Sequence, residues 1–412
     1  MKQNDHTIFK ISWRNIWRNR LRSSIIILAV TIGIFGGLVS TGIMKGMVMG
    51  LINNSLENQT SHIQIHNKQF VENNEVGFLM NKTDKLLSKI SKEPAVKSVC
   101  ERTKTFGMAS TASKSAGIMV NGIDPVREKT VTGIWKKIVK GGGTYFESNK
   151  RNRIVISEKL AKKLKARIKS KIVITFQDYD GNLTGASFKV EGIYRTQNSM
   201  FDKQNVFVRK TDLDKLLNMP SHSAHEIAIV LKNYKQTGAE VERIKRLTPD
   251  YLVQGWPEID PYLQVSASMV DFMLYIFMLI ILIALGFAIV NTMLMVILER
   301  TKELGMIMAI GMNKFKVFKM IFYETTLLGI IGALVGIVIS AAFTLYFGRY
   351  GIDISIVGKG FEAMGYGTVM KPYLELTDYF QVLIMVIITG LIASVFPTIR
   401  ALKMKPVEAI RD

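Results

Sequence analysis

Four long apolar runs constrain this chain more than any other feature. They are Ile25–Met44, Phe272–Leu298, Thr325–Phe347 and Phe380–Ile399. About 20 apolar residues in helical form cross the hydrocarbon core of a bilayer, and each run reaches that length. A long stretch with mixed polar and apolar residues separates the first run from the other three. We therefore predict an α-helical membrane protein with four transmembrane helices (1+3) and a large extracytoplasmic domain between the first and second.

Basic residues beside the apolar runs set the predicted topology. The formal net charge is +21, and positive residues next to membrane spans stay on the cytoplasmic side. The flanking cations are Lys2, Lys10, Arg14, Arg18, Arg20 and Arg22, then Arg300, Lys302, Lys314, Lys316 and Lys319, and finally Arg400, Lys403, Lys405 and Arg411. We predict a multi-pass protein of the inner (plasma) membrane with both termini in the cytoplasm. The charge placement indicates membrane lipid, and no nucleic acid, as a partner.

The apolar runs divide the chain into nine predicted segments. The four spans are predicted at 23–44, 272–298, 317–348 and 380–399. The predicted cytoplasmic segments are an interfacial amphipathic helix at 1–22, a loop with a short helix at 299–316 and a tail at 400–412. The predicted outer segments are an extracytoplasmic α+β domain at 45–271 and a loop at 349–379. Within the α+β domain, an inserted subdomain is predicted at about 125–204.

The N-terminal segment has the pattern of a helix that lies on a membrane surface. Apolar Phe9, Trp13, Ile16 and Trp17 recur at helical spacing, while Lys10, Arg14, Arg18 and Arg22 point elsewhere. Tryptophan favours the headgroup region and arginine favours anionic lipid. We predict that Trp13, Arg14, Trp17, Arg18 and Arg22 hold this helix at the inner surface. The alternative is a simple extension of the first span into the cytoplasm.

The domain between the first two spans alternates short strands with short helices, which predicts an α+β fold. Arg153–Ser157 is a predicted strand, with Ser157 capping the helix that follows. The Asp180-Gly181 pair predicts a hairpin turn. Gly141-Gly142-Gly143 is predicted to be a hinge or linker. Helical sequence resumes near Glu258 and is predicted to run into the second span.

The sequence offers no catalytic, cofactor or metal site. It contains no G-x-x-x-x-G-K-[ST] motif, so we do not expect this chain to bind ATP itself. The pair His62/His66 lies in strand-like sequence, and His222/His225 lies in a polar loop, so both are predicted to be solvated rather than metal-bound. Cys100 is the only cysteine, and we expect it to be a small buried residue of structural importance only.

The loop between the second and third spans, ERTKELGMIMAIGMNKFK, is the strongest candidate for a functional site. Alternating charges precede an apolar face of Leu304, Ile307, Met308 and Ile310, and Gly311 is a predicted helix stop. A short helix of this kind fits a groove on a partner protein; the alternative is a helix that lies on the membrane. The predicted site residues are Glu299, Arg300, Thr301, Lys302, Glu303, Leu304, Gly305, Ile307, Met308, Ala309, Ile310 and Gly311.

Motifs spread over nearly the whole chain resemble those of one family of ABC-transporter permeases. They are Arg14-Asn15…Arg18-Asn19…Arg22 before the first span, Glu299–Gly305 with Ala309-Ile310-Gly311 in the loop, Pro397…Arg400-Ala401…Pro406–Arg411 in the tail, and Val120–Pro125 and Phe188–Ile193 in the outer domain. The family includes macrolide-efflux, lipoprotein-release and cell-division permeases. Each motif alone is weak, and their combination is specific.

The resemblance implies a permease dimer, homo- or heteromeric, joined to a separate ABC ATPase dimer that holds the ATP. It implies that the Glu299–Gly311 helix is a coupling helix, which receives nucleotide-driven movement and passes it to the outer domain. The large domain and the lack of a fused ATPase resemble the lipoprotein-release type, with a lipoprotein or other amphipathic molecule as cargo. One departure is the segment Thr175–Phe188, a short hairpin where one lipoprotein-release subunit has a long proline-rich hook. Export of peptides or drug-like molecules, and control of an extracellular enzyme, are the alternatives.

Overall fold

The computed structural model describes residues 5–18, 20–148, 150–354 and 369–402. These residues divide into two compact units. The membrane unit contains the described residues up to Met47, Ala267–Asp353 and those from Val369 onward. The α+β unit is formed by Val48–Ser266.

The helices and strands of the described residues are numbered here in chain order. The helices are α1 (Asp5–Arg18), α2 (Arg20–Ser55), α3 (Lys68–Asn73), α4 (Thr83–Ile90), α5 (Pro125–Val131), α6 (Glu158–Leu164), α7 (Ser199–Gln204), α8 (Lys210–Leu216), α9 (Thr237–Leu247), α10 (Trp256–Ile259), α11 (Pro261–Glu299), α12 (Thr301–Ala309), α13 (Lys314–Tyr350) and α14 (Leu376–Leu402). The strands are β1 (Ile63–His66), β2 (Met80–Asn81), β3 (Val96–Ser110), β4 (Ser115–Ile123), β5 (Ile138–Gly143), β6 (Arg153–Ser157), β7 (Lys171–Gln177), β8 (Leu183–Tyr194), β9 (Asn205–Arg209), β10 (Ser223–Ala224), β11 (Glu226–Leu231), β12 (Leu252–Gly255), β13 (Ile352–Asp353) and β14 (Val369–Met370).

Four helices are long and apolar enough to cross a membrane. They cover Ser23–Asn58, Pro261–Glu299, Lys314–Tyr350 and Leu376–Arg400. Each is longer than the apolar run that predicted it, because polar residues at the ends of a run continue the helix without a breaker. The clearest case is α2, which passes through Lys45 and ends only at Ser55.

Close packing between α2 and α13 depends on two glycines of α13, Gly332 and Gly336. A Cβ at Gly332 would lie 2.7 Å from Cβ of Val30, and a Cβ at Gly336 would lie 3.0 Å from the Thr31 carbonyl oxygen. The Thr31 hydroxyl also donates to the Gly332 carbonyl at 3.1 Å. Small residues allow helix backbones to approach in this way in membrane proteins. A Cβ at Gly329 would meet open space, so it is not part of this contact.

A ten-stranded sheet organises the α+β unit. The strand order is β12-β1-β11-β3-β4-β9-β6-β8-β5, and β7 pairs with both β3 and β8. These pairings close β3, β4, β9, β6, β8 and β7 into a ring, while β11, β1 and β12 extend from it. Separate hydrophobic clusters fill the ring and the extension. The predicted insert at about 125–204 supplies β6, β7 and β8 to the ring, so it shares one sheet with the rest of the unit.

Local signals explain several elements of this unit. The Ser157 hydroxyl accepts a hydrogen bond from the Leu160 amide at 3.0 Å and caps α6, as predicted. The turn between β7 and β8 contains Gly181 at φ +83°, a conformation that glycine adopts without strain. The Asp178 carboxylate accepts from the amides of Asp180 and Asn182 across the same turn.

One prediction in this region is wrong. Gly141-Gly142-Gly143 is not a linker but the end of β5, which pairs irregularly with β8. A Cβ at Gly143 would lie 2.1 Å from the Glu191 carbonyl oxygen, so close strand approach explains the glycine.

The helix that was predicted to run from near Glu258 into the second span begins at Pro261 and continues as α11 to Glu299. The short helix α10, which contains Glu258, ends at Ile259 and is separated from α11 by the non-helical Asp260 (φ −129°, ψ 81°).

The predicted outer loop and tail are described only in part. Strands β13 and β14 pair as Ile352↔Met370 and Asp353↔Val369. The residues between 354 and 369, and the tail motif Pro406–Arg411, lie outside the described residues.

Candidate functional site: the short helix α12 and its ion pairs

Helix α12 is short because the sequence ends it at Ala309. Beyond Ala309, Gly311 adopts φ +102°, which L-residues with a side chain rarely adopt. The Gly311 amide donates to the Met308 carbonyl at 3.1 Å, and the Met312 amide donates to Ile307 at 3.2 Å, so the last carbonyls are satisfied. The Asn313 side chain then accepts from the Phe315 amide at 3.2 Å and starts α13.

The apolar side chains of α12 point in two directions, which corrects the predicted docking face. Leu304 is 2% exposed and, with the half-buried Met308, packs into the core of the membrane unit. Met306 and Ile310 are 57% and 82% exposed. The free apolar tip of α12 is therefore Met306 with Ile310, and not the predicted set that included Leu304 and Met308.

Helix α1 packs on α13 through a face that the sequence pattern only partly indicated. Ile8, Ser12 and Ile16, spaced four residues apart, are buried, and the Ser12 hydroxyl donates to the Met320 carbonyl of α13 at 3.0 Å. The neighbouring stripe of Phe9, Trp13 and Trp17 is exposed by 42–49%. The predicted apolar face thus separates into a packed row and an exposed aromatic row. Ile16 belongs to the packed row.

An ion-pair network connects α1, α12 and α13. The Arg18 guanidinium donates to both carboxylate oxygens of Glu303 at 2.7 Å. Arg300, just before α12, donates to Glu303 at 3.1 Å and to both oxygens of Glu324 at 3.4 Å. The Arg18 contact, followed by that of Arg300, lowers the pKa of Glu303 although partial burial opposes the shift. A movement of α12 is therefore resisted by charged contacts to two neighbouring helices.

The other predicted site residues are exposed or make local contacts. The Thr301 hydroxyl donates to the Leu298 carbonyl at 2.7 Å, Gly305 is buried, and Lys302 and Arg14 are exposed. Ile307 is half-buried, and Glu299 and Ala309 are exposed. The side chain of Arg22 lies outside the described residues.

A second ion-pair network of the membrane unit was not predicted. The Lys45 ammonium, 17% exposed, lies 2.7 Å from the buried carboxylate of Asp378 and 3.2 Å from the exposed carboxylate of Asp271. It therefore joins α2 to α11 and α14. The sequence did hold a signal, since each of the two aspartates shortly precedes an apolar run and Lys45 directly follows one.

The α+β unit contains a buried charge cluster that sequence reasoning also missed. Arg102 donates to Glu128 at 2.8 Å and to Glu226 at 2.6 Å, and Lys104 also pairs with Glu226. Burial alone would raise the pKa of Glu226, but Lys104 and Arg102 outweigh it and lower the pKa to about 2. Cys100 is buried beside Glu128, in agreement with its expected structural role.

The predicted solvation of the histidines is wrong for two of them. His66 and His225 are 6% and 0% exposed. The His225 ring contacts the Val76 carbonyl at 3.0 Å through Nε2 and accepts the Lys104 amide at 3.2 Å through Nδ1. Burial lowers the pKa of His225 to about 4. In the described residues no group of three metal-ligating side chains is present.

Two family models match the chain and define its class. The model for the MacB-like periplasmic core domain matches residues 23–247, more than half of the chain. The model for the FtsX-like permease C-terminal matches residues 275–406. The protein is thus an α-helical membrane protein with a large α+β periplasmic domain between its first two membrane helices. The chain belongs to the family of ABC-transporter permeases built from these two domains.

Curated relatives match the chain at low identity, and two of those named here match most of its length. The lipoprotein-releasing system transmembrane protein LolC of Xylella fastidiosa is 21% identical over 304 residues, which are 71% of this chain and 72% of that protein. LolE of Haemophilus influenzae is 20% identical over 79% of this chain and 80% of its own length. The macrolide export ATP-binding/permease protein MacB of Neisseria gonorrhoeae is 26% identical over 40% of this chain, and the match spans 27% of that protein.

Two solved structures are similar to the α+β unit at 15% identity. The first is the periplasmic region of MacB from Actinobacillus actinomycetemcomitans, with a TM-score of 0.35 over 52% of this chain and 97% of that chain. The second is the extracellular domain of the ABC-type transporter YknZ from Gram-positive bacteria, with a TM-score of 0.34 over 47% of this chain and 99% of that chain.

Proposed function

We propose that this permease is a mechanical lever that releases lipoproteins from the inner membrane. In this account α12 is the coupling helix: its exposed tip of Met306 and Ile310 docks on a separate ABC ATPase, and ATP is bound and hydrolysed there. The chain itself is not an enzyme and holds no cofactor. Movement of α12 passes to α1 through Arg18–Glu303 and to α13 through Arg300–Glu324. The span α13, and the span α2 that follows α1, transmit it to the periplasmic domain.

The observation that carries this proposal is the arrangement of α12, which exposes an apolar tip and is tied by ion pairs to two other helices. A helix that only bridged two spans would need neither feature. The names and coverage of the LolC and LolE relatives support lipoproteins as cargo. We further propose a dimer of permease subunits, homo- or heteromeric, in the inner membrane with cytoplasmic termini, and with α1 on the inner lipid surface through its exposed aromatic row.

The test uses Ile310→Asp, which places a charge on the docking tip. Membrane vesicles with the permease and its ATPase are loaded with a fluorescent triacylated lipoprotein, and ATP-dependent release is measured. We expect release to fall at least roughly tenfold, because a charge in a desolvated contact costs several kcal/mol. Val126→Asp is the matched control, since Val126 is 78% exposed in the α+β unit. Normal release by Ile310→Asp would contradict the docking role.

Ile307→Pro provides a second test of the lever. Proline inside α12 removes a backbone hydrogen bond and breaks the helix, so ATP hydrolysis is expected to continue without release. Export of peptides or drug-like molecules is the competing function, which the MacB relatives favour. If wild-type vesicles transport a macrolide or peptide but release no lipoprotein, the lever account is retained and the cargo assignment is wrong.

A further inference from the structure

Positive charge is concentrated in one part of the α+β unit. Residues 125–209 contain 19 lysines and arginines but only 7 aspartates and glutamates. The rest of the unit, residues 48–124 and 210–266, contains 16 against 15. Four of the 7 acids are buried, namely Glu128, Asp178, Glu191 and Asp202. The surface of this part is therefore more positive than its sequence alone indicates, and such asymmetry points to an anionic partner.

Three cations stand side by side across three strands of this part. The strand register pairs Lys171 of β7 with Lys189 of β8, and Lys189 with Arg153 of β6. Directly paired residues project from the same face of a sheet, and like charges in these positions destabilise it. The Nε of Arg153 is buried without a hydrogen-bond partner among the described residues.

The loop between α6 and β7 brings more cations to the same strand. Lys165, Arg167 and Lys169 are exposed in this loop. Lys162 and Lys165, with Arg167 and Gly141, line a hollow of about 680 Å³. In the described part of the chain, the acid that forms ion pairs beside this hollow is Glu158. Its carboxylate lies 2.6 Å from the Lys162 ammonium and 3.7 Å from the Arg195 guanidinium. The cationic face is defined as Arg153, Lys162, Lys165, Arg167, Lys169, Lys171 and Lys189.

We propose that the cationic face binds a phosphodiester polymer. Protein–protein interfaces are depleted in lysine and use aromatic anchors, whereas five of these seven residues are lysines. Lysine is a flexible point charge that binds phosphate without fixed geometry. Repeated phosphates offer many such contacts in a row, and release of their counterions makes the binding strong at low salt. The proposal concerns a surface far in sequence from α12 and does not depend on lipoprotein release.

The test measures binding of fluorescent poly(glycerol phosphate) to the full-length protein in phosphatidylcholine nanodiscs, as a function of salt. The variant K165Q/R167Q/K169Q/K171Q/K189Q removes five cations and leaves the half-buried Arg153 in place. We expect its affinity at about 50 mM salt to fall roughly tenfold or more, and the slope of log K against log salt to decrease by up to about 3.5. Its thermal midpoint should be unchanged or higher, because the like-charge row is relieved.

The matched control K68Q/K85Q/K92Q/K97Q/K232Q removes five exposed lysines from the nearly neutral part of the unit. It should bind the polymer within about twofold of wild type at the same salt. Equal losses in both variants would overturn the proposal, as would the absence of binding to wild type. Equal affinity for poly-L-glutamate of the same charge would show an acidic protein partner instead. Binding only to phosphatidylglycerol vesicles would show a lipid surface.

Discussion

Glu303 joins α12 to α1 through one bidentate contact with Arg18. We predict that Glu303→Gln reduces ATP-dependent transport roughly tenfold while the thermal midpoint stays nearly constant, because an exposed ion pair adds at most about 1 kcal/mol to stability. The lowered pKa keeps Glu303 charged across neutral pH, so its contribution should not vary between about pH 6 and 8. The assay is transport by vesicles that contain the permease and its ATPase.

The matched control for this prediction is Glu242→Gln. Glu242 also lies on the surface, where it pairs with Lys245 at 2.9 Å in the α+β unit. It should leave transport unchanged. Wild-type transport by Glu303→Gln would show that the Arg18 contact transmits no movement, whereas a charge-reversed pair, Arg18→Glu with Glu303→Arg, should restore part of the activity.

His225 makes the stability of the α+β unit depend on pH. Its folded pKa of about 4 is below the ordinary 6.5, so its neutral form stabilises the fold fully above pH 6.5. This stability is lost progressively as pH falls from 6.5 to about 4, because the unfolded chain takes up the proton first. The pKa difference corresponds to roughly 3 kcal/mol at most. Chemical unfolding of the full-length protein at pH 7 and pH 5 should show this loss.

The histidine prediction is checked by two substitutions. His225→Gln should be less stable at pH 7 and should vary less between pH 7 and 5. His222→Gln is the control, since His222 is exposed and pairs with Asp84 on the surface. If His225→Gln keeps the full wild-type pH dependence, the loss of stability comes from another group.

At the residue scale, side chains that act on their immediate neighbours could be predicted from the sequence. Ser157 caps α6 because it lies directly before it, and Asp180-Gly181 forms the predicted turn. The burial of His225 could not be predicted. It sits among polar residues in the sequence, and it is buried by Val76 and Lys104, more than 100 residues away.

At the element scale, the packing of α2 against α13 requires a residue without a side chain at Gly332. Gly332→Ala should lower stability by about 1–3 kcal/mol, because its Cβ has no room beside Val30. Gly329→Ala is the control on the same helix, where a Cβ meets open space, and it should be neutral or slightly stabilising. Thermal unfolding in one detergent compares the two variants. If the two variants unfold at the same midpoint, the close contact between α2 and α13 does not contribute to stability.

Lys45 joins three helices, α2, α11 and α14. Lys45→Met leaves the buried Asp378 carboxylate without its cation and should cost about 3–5 kcal/mol. Asp271→Asn removes only the exposed partner, and it should cost less than about 1 kcal/mol. Unfolding in detergent measures both. The account of this network would be wrong if Asp271→Asn were the more damaging change.

At this scale the sequence predicted which segments form helices, but it did not predict which face of a helix is buried. The loop 299–316 contains the predicted short helix α12, because Gly311 ends it. Leu304 and Ile310 are equally apolar in sequence, and only the position of α13 and its neighbours decides that one is buried and the other exposed. The three glycines at 141–143 resembled a linker for the same reason, since β8, to which they pair, lies about 50 residues away.

At the scale of the whole molecule, the apolar runs predicted the 1+3 arrangement of spans. The four membrane-length helices and the match to a periplasmic core domain confirm it. The central claim is that the exposed tip of α12 docks on a separate ATPase. The most direct measurement places the photo-crosslinking residue p-benzoylphenylalanine at position 310, or at position 126 as control, in the complex purified in mild detergent. The account predicts a crosslink from position 310, and not from 126, to a chain with a G-x-x-x-x-G-K-[ST] motif. Crosslinking of position 310 to lipid alone, while that ATPase is present in the complex, would contradict it.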